Sequence, residues 1–437
     1  MAYDIIIGRN ESDKKIFGNE GLIYLGKGYV KMGQYNSLSN KIFLDVARSH
    51  VVLVAGKRGS GKSYTLGVLT EEISSLPKAV SQNIASLIFD TMGIYWTMKY
   101  ENEKDKKLLQ DWGLKPKNLP VKIFVPFGHY QKFLDSGIPV DEAFALDPME
   151  LEPEDWIITF GLNLINPVSV LIERTLINLK ENKKHFTLKK IIEEMEKDKK
   201  SERETINAAV GLFEAAETWG IFAREKMKST KTKDLIKGGL TSVLDLSSYN
   251  SIGAFNVRAL VISLLSRKIF QERMNSRRNE EVKSIAKGLD YSGLTEKKEN
   301  PLVWMFIDEA HEFLPKDEKI ISTDALIQIL REGRQPGISI VLATQQPGKI
   351  HTDVMTQADI VLAHRVTSKP DVEALNNMMQ SYLTDTIQGY MNDLPSVKGS
   401  AIILDDNSER IYPMKMRPRF TWHGGQAPSA VAEKKEL

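Results

Sequence analysis

Residues 56–63 read Gly-Lys-Arg-Gly-Ser-Gly-Lys-Ser and follow an apolar run, Val-Val-Leu-Val-Ala, at 51–55. Glycine, four residues, then Gly-Lys-Ser, placed after a strand and before a helix-forming stretch, is a phosphate-binding loop. Each residue type has a task. Gly56, Gly59 and Gly61 let the backbone close in until its N–H groups face phosphate oxygens. Lys62 reaches the β- and γ-phosphates as a point charge, and Ser63 offers its hydroxyl to Mg²⁺. The helix beginning near Ser63 adds its positive N-terminal end. The expected nucleotide contacts are Gly56, Lys57, Arg58, Gly59, Ser60, Gly61, Lys62, Ser63 and Tyr64. The expected cofactors are ATP and Mg²⁺.

Three further stretches could complete such a site. Residues 301–309 form an apolar strand that ends in Asp308 and Glu309. A carboxylate at that strand tip holds Mg²⁺ through water, opposite Ser63. Its neighbour Glu309 is placed to orient and deprotonate the attacking water. Residues 339–343 form a β-branched strand that ends in Thr344-Gln345-Gln346-Pro347. A γ-phosphate sensor would sit there, and Gln345 is preferred over Gln346. Arg331 and Arg334 lie just upstream, and either could stabilise charge developing on the γ-phosphate. Asp90 ends the second strand, where it either supports the site from behind or closes a turn.

The rest of the composition narrows the class. Hydrophobic residues make up 42% and charged residues 27%, ordinary values for a globular protein. The chain has no cysteine, which excludes disulfides and thiolate metal sites. No apolar run reaches the 18 or so residues of a membrane-spanning helix. The first residues lack a signal-peptide layout. A cytoplasmic protein without a membrane partner is expected. A net charge of +2 requires any nucleic-acid binding to use a local basic feature. His311, His351, His364 and His423 have no zinc spacing, and no Gly-x-Ser-x-Gly elbow occurs. Asp308-Glu309-Ala310-His311 matches the DEAH box of two-lobed helicases. The stretch after it is too short for a second lobe of comparable size.

The elements that must position these residues read as an α/β architecture. Strand, loop, helix and strand over 49–100 imply a parallel sheet covered by helices. Residues 1–48 read as short strands and turns, a small β unit. Residues 49–126 and 236–410 form the expected nucleotide-binding core. Apolar residues at helical spacing, such as Leu188, Ile191, Ile192 and Met195, mark 127–235 as a helical insertion. A long helix is expected over 256–274, a polar loop over 275–300, and an extended C-terminal arm over 411–437.

Taken together these stretches resemble the HerA-type ATPases, the hexameric DNA translocases related to FtsK. The similarity lies in residues 56–63, 88–95, 306–313 and 331–347, with Ala363-His-Arg-Val-Thr-Ser and Arg417-Pro-Arg-Phe-Thr-Trp-His-Gly-Gly adding to it. The resemblance implies a RecA-like P-loop core, a homohexameric ring, ATP hydrolysis at subunit interfaces and duplex DNA in a central channel. It implies catalytic roles for Lys62, Asp308, Glu309 and Gln345, an arginine role for Arg331 or Arg334, and a brace on the neighbouring subunit from 411–425. Two features depart from the pattern. Fewer than fifty residues stand where the family has a larger N-terminal barrel, so a nuclease or defence effector partner is in doubt or docks differently. Ile94 occupies a position that is often acidic.

The expected function is an ATP-dependent DNA translocase or helicase in end processing, repair or defence against phage. The alternatives are a nucleotide-gated ring scaffold that regulates an effector nuclease, and a motor of conjugation or type IV secretion. In a ring, each pore-facing lysine is repeated in every subunit. Lys316, Lys319 and Lys349 are the candidate DNA contacts, with Lys228, Lys231 and Lys233 next.

Overall fold

A computed structural model of the chain describes residues 3–32, 35–182, 185–250, 255–287, 300–379 and 387–425. Among these, thirteen strands make one sheet. In chain order they are β1 (Ile5–Ile7), β2 (Leu22–Met32), β3 (Tyr35–Asp45), β4 (Val51–Ala55), β5 (Ile84–Asp90), β6 (Lys122–Pro126) and β7 (Glu142–Phe144). There follow β8 (Thr241–Asp245), β9 (Leu302–Ile307), β10 (Ile338–Thr344), β11 (Ile360–His364), β12 (Ser400–Asp405) and β13 (Arg410–Met416). Their spatial order is β1-β3-β2-β13-β12-β11-β4-β10-β9-β5-β8-β6-β7. From β11 to β7 every neighbouring pair is parallel.

Parallel strands need cover on both faces, so their sequences run apolar without a break. β5, β8, β10 and β11 are buried at every residue. Alternate side chains feed two separate cores. Val52 and Val54 pack with Leu66, Leu69 and Ile73 of the helix Lys62–Ser74, together with Trp304 and Phe306. Leu53 and Ala55 face the other core, with Met305, Ile307 and the helical insertion. The helices Pro167–Asn182, Leu188–Met195 and Arg203–Thr218 bury the expected apolar stripes there, including Leu171, Leu176, Leu188 and Ile191.

Residues 1–48 form the expected small β unit, and β2 pairs with β13, so its strands continue the sheet of the core. The unit also contains a helix, Glu11–Phe17, capped by the Asn10 side chain. Three other features go beyond the sequence reading. The stretch 127–235 is not wholly helical, because β7 pairs with β6 and extends the sheet edge. The long helix runs over Phe255–Lys287, past the expected start of the loop. Arg273 secures it by donating to the Pro336 carbonyl at 2.8 Å and the Asn300 carbonyl at 2.7 Å. The remainder of that loop, 288–299, lies outside the described residues. Finally, 411–425 is not a free arm. β13 is hydrogen-bonded on both sides within its own chain, and Arg417, Arg419, Phe420 and Thr421 after it are buried, the two arginines pairing with Glu71 of the helix Lys62–Ser74. The tip, 426–437, lies outside the described residues.

Candidate active site

The C-terminal ends of β4, β10, β9 and β5 stand side by side along one edge of the parallel sheet. Open α/β sheets bind ligands at this edge. β10 lies between β4 and β9, so the Thr344–Gln346 turn sits between the phosphate loop and the acidic strand. That is the place expected for a sensor.

The loop itself holds its shape through backbone contacts. Gly59 and Gly61 have φ of 74° and 118°, a left-handed region that favours glycine. A Cβ on Gly56 would lie 2.7 Å from His364 Cβ, so only glycine lets the loop settle on β11. The Gly56 N–H donates to the Thr344 carbonyl at 3.2 Å, and the Lys57 N–H to the Arg365 carbonyl at 3.1 Å. His364 is fully buried beneath the loop. Its ring nitrogens lie 2.8 Å from Thr65 Oγ1 and 3.1 Å from the Ser400 carbonyl. Burial, with help from Lys62, pushes its pKa down to about 4, which keeps the ring neutral.

Lys62 and Asp308 are almost completely buried. Ser63 Oγ donates to Asp308 Oδ2 at 2.5 Å, closing the gap between residues far apart in the chain. These are hard oxygen donors, a hydroxyl and one carboxylate, and they fit Mg²⁺. No group of three or more histidine, cysteine or acidic side chains able to hold a metal occurs among the described residues. A cation at Ser63 and Asp308 would need phosphate and water to complete its shell, as Mg²⁺ does.

Glu309 has φ 51° and ψ 43°, a left-handed conformation rare outside glycine. It folds the chain back so that its carboxylate faces the loop. Burial, then Asp308, raises its pKa to about 7; Glu312 adds to this, while Lys62 and the Gln345 backbone N–H oppose it. His311 lies beside it, with Nδ1 3.6 Å from Glu309 Oε2 and 3.2 Å from Thr344 Oγ1.

Asp90 accepts the backbone N–H groups of Met92, Gly93, Ile94 and Tyr95 at 2.7–3.1 Å. It is therefore a turn-closing acid. Burial and neighbouring Asp245 push its carboxyl up. The turn delivers Tyr95, whose hydroxyl lies 3.4 Å from both Asp308 Oδ2 and the Ser63 carbonyl.

The other expected residues are placed as follows. Tyr64 turns its hydroxyl to the Arg419 N–H at 2.5 Å, towards the C-terminal segment. Lys57 and Arg58 are exposed, and Ser60 partly so. Arg331 and Arg334 are exposed near the start of β10, the end opposite Thr344. Arg331 pairs with Asp353 at 2.7 Å. Lys316 and Lys349 come together, because Pro315 and Ile350 form an antiparallel bridge and the Lys316 N–H donates to the Lys349 carbonyl. Lys319 stands apart in an exposed ion pair with Asp324. Lys228, Lys231 and Lys233 are exposed on another segment.

Sequence reading missed several contributors. Tyr95, His364 and Arg417 sat within the stretches that carried the resemblance, without an assigned role. Arg365 and Lys398 join Lys57 around a cavity of about 130 Å³ on the outer side of the loop. Glu71 is fully buried and accepts from Arg417 Nη1 at 2.8 Å and Arg419 Nε at 3.1 Å. It also accepts from the Phe420 and Thr421 N–H groups.

A family model described as "Helicase HerA, central domain" matches residues 30–269. One described as "Zonular occludens toxin (Zot)" matches 221–369. The DNA double-strand break repair helicase HerA of Sulfurisphaera tokodaii is 23% identical over 391 residues, covering 88% of this chain and 67% of that protein. Its Pyrococcus furiosus namesake is 25% identical over 180 residues, covering 39% and 31%. The chain thus spans two thirds or less of the length of these relatives. Among solved structures, VirB4 of Thermoanaerobacter pseudethanolicus superposes with a TM-score of 0.56 at 13% identity, covering 91% of this chain and 96% of that one. The bacterial conjugative coupling protein TrwBdeltaN70 gives 0.52 at 11% identity, covering 86% and 87%. These likenesses establish the RecA-like P-loop fold. With its central-domain model spanning more than half of the sequence, the chain belongs to the HerA family.

Proposed function

We propose that this chain hydrolyses ATP and that a ring of its copies uses the hydrolysis to move along or unwind duplex DNA. Its setting would be the cytoplasm, in end processing, repair or defence against phage. The observation that carries the reading is the 2.5 Å contact between Ser63 and Asp308, beside buried Lys62 and left-handed Glu309. The loop N–H groups and Lys62 bind the phosphates. Ser63 and Asp308 would hold Mg²⁺, which offsets phosphate charge when bound. Glu309 takes the proton of the attacking water, and its raised pKa suits a general base near neutral pH. Gln345 is the candidate contact to that water or to the γ-phosphate. Lys57, Arg365 and Lys398 raise the local potential for an anionic ligand. A purely structural scaffold would need no water-activating carboxylate, and the left-handed Glu309 supports the hydrolytic reading over it.

The test is Glu309→Gln. Nucleotide affinity should stay within a few-fold, while turnover falls by roughly two or more orders of magnitude, as expected for a lost general base. Hydrolysis at the native rate would remove Glu309 from its role.

A further inference from the structure

Glu309 faces the end of β10 across the site. The Gln345 backbone N–H faces its carboxylate. Glu309 Oε2 is buried and makes no hydrogen bond among the described residues. The nearest ring nitrogen is His311 Nδ1, at 3.6 Å, just beyond hydrogen-bond reach. That same nitrogen lies 3.2 Å from Thr344 Oγ1, and Thr344 Oγ1 in turn accepts the Gln346 N–H at 3.0 Å. A shift of a few tenths of an ångström would pass His311 from the hydroxyl to the carboxylate.

The far side of this turn carries charge. The backbone bridge between 314–316 and 349–351 joins the segment after β9 to the segment after β10. It sets exposed Lys316 and Lys349 next to each other. The Lys349 N–H donates to the Gln346 carbonyl at 3.0 Å, and the Gln346 N–H in turn donates to the Thr344 hydroxyl that His311 touches. An anion seated on the two lysines would therefore act on the strand end that His311 touches.

We infer that His311 is a positioning residue that couples the Lys316–Lys349 surface to Glu309. Its ring passes between the Thr344 hydroxyl and the Glu309 carboxylate as that surface fills with nucleic-acid phosphate. The coupling rests on the DNA-driven reading above. It differs from a packing role, because a donor at the Nδ1 position is required and an apolar ring is not enough.

The experiment compares wild type, His311→Ala and His311→Asn for ATP turnover with and without linear duplex DNA of mixed sequence. An asparagine amide places a donor near the Nδ1 position. His311→Ala should hold the ATP concentration for half-saturation within about threefold while DNA stimulation falls at least about tenfold, a loss in kcat rather than in binding. His311→Asn should restore most of the stimulation. Retained nucleotide affinity in both variants shows that they fold. Full DNA stimulation in His311→Ala, or equal loss in both variants, overturns the coupling alone. A wild-type protein that hydrolyses ATP with no response to DNA overturns the DNA reading and the coupling with it.

Discussion

The hydroxyl of Tyr95 lies against the proposed magnesium site. It touches both halves of the site, Asp308 and the Ser63 backbone, each at 3.4 Å. The ring is buried, so removing only the hydroxyl keeps the packing. Tyr95→Phe should raise the Mg²⁺ concentration for half-maximal ATP turnover by roughly two- to tenfold, the range of one hydrogen bond worth about 0.5–1.5 kcal/mol. A metal titration of turnover reads this directly, and an unchanged titration would leave Tyr95 as core filling. The residue that invited a role by position alone, Tyr64, binds the C-terminal segment instead. Position in a motif specified the backbone of the loop and Lys62 and Ser63. It did not specify where the remaining side chains point.

The helix Lys62–Ser74 is positioned from two ends. Its first turn belongs to the phosphate loop. Its last turns are gripped by residues 417–421, where one carboxylate, Glu71, answers two buried guanidinium groups, Arg417 and Arg419. Arg417 Nε also reaches Glu72 at 2.8 Å. Gly67 leaves room for the Arg419 guanidinium, which a Cβ there would strike. Breaking such a network by removing one partner strands a buried charge. Glu71→Ala should cost about 3–5 kcal/mol of unfolding free energy, read from the midpoint of denaturant unfolding. A loss below about 1 kcal/mol, the size of a surface pair, would show that the network relaxes into water. The same segment reaches the 94–102 region, through Trp422 N–H to the Tyr100 carbonyl and Asn102 Nδ2 to the Arg419 carbonyl. It thus staples the helix that ends the phosphate loop to the turn that carries Tyr95.

At the scale of the whole molecule, the proposed arginine role bears on whether one chain is enough. Arg331 and Arg334 lie near the start of β10, and Thr344 lies at its end. A strand of this length spans about 20 Å, beyond the reach of an arginine side chain. Either arginine could serve only a neighbour's γ-phosphate. In a homogeneous assembly, Arg334→Ala or Arg331→Ala should then abolish turnover, as Lys62→Ala should. Mixing the inactive arginine variant with Lys62→Ala subunits should recover part of the activity, because some interfaces pair an intact loop with an intact arginine. A fully active monomer in analytical centrifugation would remove the shared site.

The sequence by itself determined the local motifs and elements. Gly56–Ser63, Asp308, Glu309 and the strand ahead of Thr344 were legible because each motif is a run of adjacent residues whose spacing is set by backbone geometry. Apolar periodicity likewise marked the strands of the parallel sheet and the helices of the insertion. Tertiary structure alone decided what lies across the sheet. Strand pairing depends on backbone hydrogen bonds between distant segments, and no local pattern records the partner. So β2 joining β13 could not be read from residues 1–48, nor could the return of 411–425 onto its own chain. The buried polar groups were hidden for the same reason. Glu71, Arg417 and Arg419 look like solvated charges in sequence, and only folding brings their partners close enough to offset the loss of water.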